Sequence, residues 1–203
     1  MPASNLWFVP RTQLERTRAT TEQLVEAARQ LFATHGYEQT SLDAIVEKAG
    51  VTKGAMYHHF ESKQELFAAV YAREQRKLAD AVESAARPRR DAWEAVLAGC
   101  QAFFESSLDP ATLRITLLDA PGALGWQRMR SIESDYSTAL LRRGLEAAMA
   151  SGQLAKRPLE PLTYLLLGAM CEAAMMAARA ANPRQEARLY LRELRTLLNS
   201  IRD

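Results

Sequence analysis

Apolar residues recur three and four positions apart along most of the 203-residue chain, and no stretch alternates apolar and polar residues as a half-buried strand does. The three- and four-residue spacing places apolar side chains on one face of an α-helix. The sequence therefore predicts an all-α fold of about nine helices. The longest predicted helices cover about residues 20–35, 63–87, 91–107, 124–150, 162–181 and 184–201.

The stretch 40–63 contains two short helical segments around a glycine. It begins with hydroxyl residues, which suit the N-terminus of a helix, and Gly50 suits the C-terminus of that helix, where a left-handed backbone is needed. Thr52 can cap a second helix over about 53–59. Two short helices joined by such a turn form a helix-turn-helix, whose second helix enters the major groove of DNA.

The second short helix carries side chains suited to DNA. Lys53 is a cation at its start, and Gly54 and Ala55 let the backbone approach the bases closely. Tyr57 is compatible with either a core position or a contact to phosphate. The predicted DNA-contacting residues are Thr40, Ser41, Thr52, Lys53, Gly54, Ala55, Tyr57, His58, His59 and Lys63.

Residues 49–67, Ala-Gly-Val-Thr-Lys-Gly-Ala-Met-Tyr-His-His-Phe-Glu-Ser-Lys-Gln-Glu-Leu-Phe, closely resemble the recognition-helix block of the tetracycline-repressor (TetR) family. Residues 28–40, from Ala-Arg-Gln-Leu-Phe to the Gly-Tyr-Glu-Gln-Thr end, look like the first helix of that family. The resemblance covers about residues 18–70. Ser41 and Val46 depart from the family pattern, which usually has Thr and Ala there, and neither departure alters the motif.

This resemblance implies a DNA-binding transcriptional repressor in three parts. They are an N-terminal arm (1–17), a helix-turn-helix domain (18–63) and a ligand-binding and dimerisation domain (64–203), which begins with a connector helix (64–87). The resemblance also favours DNA contact by Tyr57 and by at least one of the adjacent histidines.

The charge of the chain is nearly balanced, with 26 Lys and Arg against 24 Asp and Glu, so net charge alone does not indicate a nucleic-acid binder. Arg11, Arg16 and Arg18 nevertheless form a small basic approach to the first helix. The arm that holds the first two is predicted either to be partly disordered or to contact phosphates or the minor groove.

In proteins of this family an inducer pocket lies in the bundle beyond the connector helix. Such pockets are apolar with a few polar groups, and charged residues are scarce at the inward positions here, which predicts an apolar or amphipathic effector. From composition alone the same side chains are core residues. The predicted ligand-binding residues are Trp93, Cys100, Phe103, Phe104, Leu117, Trp126, Met129 and Tyr136.

The last two predicted helices, 162–181 and 184–201, carry a leucine stripe beside an alanine-rich one. Two copies can pair these stripes in a four-helix bundle about a two-fold axis, or both stripes can fold inward within one chain. A dimer of this kind requires a near-palindromic operator.

Enzymatic chemistry is not indicated, since a nucleophile elbow, metal-ligand spacing and a phosphate-binding glycine-rich loop are absent from the sequence. His58 and His59 are adjacent and point about 100° apart on a helix, so they cannot share a metal ion. Asp119, Glu133 and Asp135 lie on helices, where acidic residues usually face solvent. The sequence predicts a non-enzyme without metal or cofactor.

Two further classes compete with a ligand-responsive repressor, namely an architectural DNA-binding protein and a catalytic helical bundle. An architectural protein does not need the roughly 130 residues that follow the helix-turn-helix. The isolated Cys100 and Cys171 are typical of buried thiols in a reducing cytosol. No signal peptide and no apolar run of about 18 residues is recognised, so we expect a cytoplasmic protein with no membrane span.

Overall fold

The computed structural model of the chain describes residues 13–202. These residues form helices and no strand, so the prediction of an all-α fold is confirmed. The helices are α1 (Gln13–His35), α2 (Leu42–Ala49), α3 (Lys53–His59), α4 (Lys63–Ala86), α5 (Ala92–Ser107), α6 (Pro110–Leu113), α7 (Ala120–Leu124), α8 (Trp126–Ser134), α9 (Ser137–Ala150), α10 (Leu159–Arg179) and α11 (Pro183–Ser200), with one π-helical segment, Arg114–Asp119, between α6 and α7.

The two short helices α2 and α3 end where the local chemistry predicts. The Ser41 hydroxyl accepts the Ala44 N–H at 3.1 Å and so caps α2. Gly50 adopts the left-handed conformation (φ 66°) that closes the helix. The Thr52 hydroxyl accepts the Ala55 N–H at 3.1 Å and caps α3. The predicted helix-turn-helix is therefore present.

The first helix begins earlier than predicted. Thr20 does not cap it, because its hydroxyl donates to the Arg16 carbonyl at 3.0 Å within the helix. The described part of α1 starts at Gln13, inside the segment predicted as an arm. Residues 1–12 of that arm lie outside the described residues, so its contact with DNA stays a prediction.

The single helix predicted over 124–150 is wrong, because the chain divides there into α8 and α9. Tyr136 leaves the helical conformation (φ −126°, ψ −109°) between them. The Ser134 hydroxyl donates to the Ser131 carbonyl at 2.7 Å, and such local bonds compete with the helix.

Helix α4 connects two apolar cores. Tyr71, on its first half, belongs to the core that holds α1, α2 and α3 together with residues 115–129. Leu78, on its second half, belongs to the core formed by α5, α9, α10 and α11. A displacement of either core therefore acts on the same rigid helix.

Helix α10 is long and apolar enough to cross a membrane by length and composition alone. Its apolar run is interrupted by Glu160, Glu172 and Arg179, in keeping with the expectation that no uninterrupted apolar run of about 18 residues occurs. One-third (33%) of the apolar part of this helix is buried, and α10 packs on α5, α9 and α11. Packing within the bundle accounts for part of its apolar surface, and core helices of soluble proteins pass the same test.

Candidate DNA-binding interface and ligand cavity

Helix α3 presents one exposed face and one buried anchor. Met56 is fully buried and fixes the helix to the core beneath it. Lys53, Gly54 and Tyr57 are exposed, and Tyr57 is 50% exposed, which removes the alternative that it is a core residue. A side chain at Gly54 would meet no atom within 4 Å. The fold itself therefore does not require a glycine at this position. The absence of a side chain leaves room for another molecule to approach the backbone closely.

Lys53 projects from the start of α3 and pairs with Asp43 of α2. Its Nζ lies 2.6 Å from Asp43 Oδ1, and both side chains are more than half exposed. The hydrogen bond to Asp43 raises the pKa of Lys53, which therefore keeps its charge. Since an exposed pair of this kind contributes little stability, the cation is available to a phosphate at little cost.

The two histidines of α3 have different surroundings. His58 is exposed, whereas His59 is half-buried and its Nδ1 lies 3.2 Å from the Thr21 hydroxyl of α1. The ring of His58 lies edge-on to that of His59, with centroids 5.4 Å apart. His59 thus ties α3 to α1, and His58 is the more accessible of the two.

Thr40 and Lys63 are turned towards the protein. Thr40 is 3% exposed and its hydroxyl donates to the Gly36 carbonyl at 2.7 Å. This internal role replaces the predicted contact of the Thr40 side chain with DNA. Lys63 Nζ donates to the carbonyls of Tyr37 (2.9 Å) and Thr40 (3.2 Å) and lies 4.3 Å from the centre of the Tyr37 ring. An ammonium has three hydrogens, so one remains for a phosphate.

The turn between α1 and α2 is also held from the C-terminal part of the chain, which sequence analysis missed. Asp119 Oδ2 accepts the Tyr37 N–H at 2.9 Å, and the Arg114 guanidinium donates to the His35 carbonyl at 3.3 Å. Both residues belong to the π-helical segment, an irregularity often found at functional sites. Periodicity gave no signal for this contact, because the partners are 79 or more positions apart.

A buried ion pair nearby joins α1 to α4. Glu74 of α4 is 1% exposed and its carboxylate pairs with Arg29 of α1. The Thr112 hydroxyl of α6 donates to Glu74 Oε2 at 2.7 Å. Because removing one partner of a buried pair leaves an uncompensated charge, these contacts resist relative movement of the three helices.

An apolar cavity of about 110 Å³ lies between α4, α5, α9 and α10. Cys100 and Phe103 are the two predicted ligand-binding residues that line it. Burial raises the pKa of the Cys100 thiol to about 12, so the thiol is neutral and adds an apolar wall. The cavity is lined by Val82, Glu83, Ala86, Ala95, Val96, Gly99, Cys100, Phe103, Ser137, Leu140, Leu141, Gly144, Leu167 and Met170.

Three of the other predicted ligand-binding residues lie in closed cores. The Trp93 indole N–H donates to Asn199 Oδ1 at 3.2 Å, which fixes Trp93 within the second core. Phe104 is one position from Phe103 on α5 and so faces a different side, towards a third, smaller core that it forms with Ala174, Ala177 and Ala187. Met129 belongs to the first core.

The remaining three also lie away from the cavity. Trp126 is 65% exposed and stacks on Arg130. Tyr136, at that break, lines an outer groove. Leu117 packs against the core of Phe104.

Comparisons with known proteins match both parts of the chain. Residues 93–201, more than half of the chain, match the family model described as tetracyclin repressor-like, C-terminal domain. Residues 24–70 match the model of bacterial regulatory proteins, tetR family.

Curated relatives match over different lengths. The Transposon Tn10 TetC protein of Escherichia coli is 28% identical over 191 residues, covering 94% of this chain and 96% of that protein. The transcriptional activator FasR of Mycolicibacterium smegmatis is 39% identical over 83 residues (41% of this chain, 38% of FasR). The transcriptional repressor AcnR of Corynebacterium diphtheriae is 35% identical over 74 residues (36% of this chain, 37% of AcnR).

The fold also matches a solved structure over nearly its whole length. The crystal structure of a TetR-family transcriptional regulator from Pectobacterium atrosepticum superposes with a TM-score of 0.77 at 27% identity. The match covers 94% of this chain and 97% of that one.

Proposed function

Because the chain belongs to the TetR family of bacterial regulatory proteins, we propose that it is a ligand-responsive transcriptional repressor. In this proposal a cytoplasmic homodimer binds a near-palindromic operator and leaves it when a small apolar or amphipathic effector binds. Residues 18–63 bind DNA, and residues 64–203 bind the effector and dimerise, with 64–87 as the connector. The named relatives are a TetC protein, an activator and a repressor, which supports regulation rather than catalysis.

The exposed face of α3 is the single observation that carries the proposal. Lys53 and Tyr57 supply a cation and a phenol to the same surface, and Gly54 leaves room for close approach. Met56 holds this face outward. A helix that follows a capped turn and presents such groups fits the major groove.

Dimerisation is supported by apolar side chains left exposed on α10 and α11. Leu165 is 72% exposed, and the small residues Gly168 and Ala169 follow on the same exposed face of α10. A monomer seldom leaves such a surface uncovered. A self-complementary contact about a two-fold axis covers it in both copies and sets two α3 helices for two half-sites. The exposed large apolar residues of these helices are Tyr164, Leu165, Met176, Leu189 and Leu197.

Release from DNA is supported by the position of the cavity. It touches α4 and the N-terminal end of α9, and α4 also belongs to the core under α1–α3. An effector shifts the equilibrium only by its difference in affinity for the two arrangements. We take repression as the sign of regulation, as in AcnR, whereas FasR is named an activator.

Selection of bound duplexes from a random-sequence pool tests the proposal. We expect enrichment of an inverted repeat whose half-sites lie about one helical turn, or a multiple, apart. The protein–DNA complex should contain two protomers in sedimentation. If the selected duplexes shared no inverted repeat and bound no more tightly than random DNA, the prediction of a specific operator would be wrong. A promoter fusion carrying the selected site then reports the sign of regulation.

A further inference from the structure

The cavity contains few polar groups, and this restricts what can bind there. Two of its lining side chains carry oxygen, Glu83 and Ser137. Glu83 is half exposed at the outer edge, where its carboxylate lies 3.8 Å from Arg143. Ser137 is 5% exposed, so its hydroxyl is the interior oxygen, and the neutral Cys100 thiol that also lines the cavity is only a weak donor. The hydrogen-bonding state of that hydroxyl therefore determines which polar group a ligand can place inside.

A chain of four hydrogen bonds fixes the direction of the Ser137 hydroxyl. Arg130 donates to Glu133 Oε2 at 2.6 Å, and the Tyr71 hydroxyl donates to Glu133 Oε1 at 2.7 Å. Gln75 Nε2 donates to the Tyr71 oxygen at 3.0 Å. The Ser137 hydroxyl then donates to Gln75 Oε1 at 3.2 Å.

The direction of this chain follows from its end. A carboxylate only accepts, and it is held by an arginine that only donates. Burial, together with the charge of Glu133, raises the pKa of Tyr71. The phenol therefore stays protonated and donates a hydrogen bond to Glu133. Gln75 must then turn its amide nitrogen to Tyr71 and its oxygen to Ser137. As a result, the only hydrogen of the Ser137 hydroxyl is committed away from the cavity.

A ligand that reaches Ser137 Oγ therefore meets a lone pair and no hydrogen. A hydroxyl has one donor and two acceptor sites, so it can still accept one bond from a ligand. A ligand that carries a carbonyl, ether or carboxylate oxygen at this point would bury an unpaired acceptor, which is costly in an apolar site. A ligand with a hydroxyl or N–H would be paired.

The size of the cavity restricts the apolar part of the ligand. At about 110 Å³ it is somewhat smaller than an engineered apolar cavity of about 150 Å³ that binds benzene. It is well below the roughly 300–1,000 Å³ of sites for drug-sized ligands. The cavity is open at the edge formed by Glu83, so a ligand of about one ring can occupy it and extend to that edge.

We propose that the effector site selects a compact apolar molecule, about one ring in size, that donates a hydrogen bond to Ser137 Oγ. Phenols and small cyclic alcohols belong to this class. The inference rests on the proposed function in one respect, namely that the cavity is the effector site. It adds the polarity of the hydrogen bond, which excludes ligands whose buried polar group only accepts.

Calorimetric titration with phenol, anisole and toluene tests this proposal on the full chain. The three share a ring, and only phenol has a donor. We expect phenol to bind roughly 2- to 12-fold more tightly than anisole, which corresponds to one net hydrogen bond of about 0.5–1.5 kcal/mol. In Ser137→Ala the preference should disappear while toluene binding is unchanged. Thr34→Ala, which removes an exposed hydroxyl of α1 away from the cavity, should keep the preference.

A second variant tests the donor-to-acceptor direction of the row of hydrogen bonds. Gln75→Leu removes the acceptor of the Ser137 hydrogen, which then becomes free to point into the cavity. The ratio of anisole affinity to toluene affinity should therefore be higher in this variant than in the unmodified protein. Thermal melting of each variant establishes that it is folded, and Ser137→Ala suffices alone if Gln75→Leu does not fold.

Three results would overturn the proposal: equal affinity of phenol and anisole for the unmodified protein, an undiminished phenol preference in Ser137→Ala, or no binding of any probe up to its solubility. Binding of the selected operator by the same preparation separates these failures from a failure of the proposed function. If the operator is still bound, the proposed DNA-binding function is retained and only the proposed class of ligand is rejected.

Discussion

Replacement of Lys63 by methionine is the sharpest test of how the N-terminal helices are held together. The substitution keeps a long apolar stem and removes the ammonium that bridges the carbonyls of Tyr37 and Thr40. These carbonyls lie in the turn between α1 and α2, while Lys63 begins α4. The turn would lose its direct tie to α4 at this point.

The expected cost follows from the two bonds that are lost. Hydrogen bonds to a charged donor contribute about 1.5–3 kcal/mol each when buried. Lys63 is half-buried, so water can replace part of the loss, and we expect about 2–4 kcal/mol in total. For a chain of this length the melting temperature should fall by roughly 4–16 °C, at about 2–4 °C per kcal/mol.

Lys53→Met is the matched control. Lys53 is exposed and pairs only with exposed Asp43, so its melting temperature should stay unchanged. Its operator affinity should fall instead, and the slope of log K against log salt should flatten by about 0.9 per cation, or roughly 1.8 for two copies. Thermal melts at equal protein concentration and operator titrations at several salt concentrations separate the two effects. A Lys63→Met protein that melts like the unmodified one would refute the bridging role.

Three other predictions follow from single contacts. Leu165→Glu should give a monomer in sedimentation at micromolar concentration, whereas Leu118→Glu, also exposed but outside α10 and α11, should remain a dimer. Cys100, with a pKa of about 12, is about one part in 10⁴ thiolate at pH 8 and should resist iodoacetamide until urea is added; rapid labelling in buffer would contradict its burial. Asp119→Ala leaves the Tyr37 N–H without its acceptor and should lower the urea midpoint by the equivalent of about 1–3 kcal/mol. Asp119→Asn keeps an acceptor oxygen and should lose less.

The parts of the fold that could be predicted from the sequence are those whose partners lie close along the chain. Asp91 accepts the Glu94 N–H and Asn182 accepts the Gln185 N–H, each three positions away, as their capping patterns indicate. Periodicity located α4, α5 and α10 because each buries one face. It did not locate the break at Tyr136, where the local hydroxyl bond of Ser134 competes with a helix that remains apolar on both sides.

The cavity was less predictable because periodicity identifies an inward face and not the core that it meets. Phe103 and Phe104 are both apolar and adjacent, yet one lines the cavity and the other closes a separate core. Trp126 has the composition of a core residue and is exposed. Ser137 was not predicted at all, since a serine carries no signal until Gln75 of α4 is placed beside it.

The turn between α1 and α2 is where the two parts of the molecule meet. Lys63 holds it from α4, and Asp119 holds it from the π-helical segment. Leu117 of the same segment packs against the core that contains Phe104. Phe103, the neighbour of Phe104 on α5, lines the cavity. A ligand that needs more room than the cavity offers must displace at least one of the helices around it, α4, α5, α9 or α10. By linkage, the operator changes ligand affinity by the same factor by which the ligand changes operator affinity, and about 1–3 kcal/mol corresponds to roughly 5- to 150-fold.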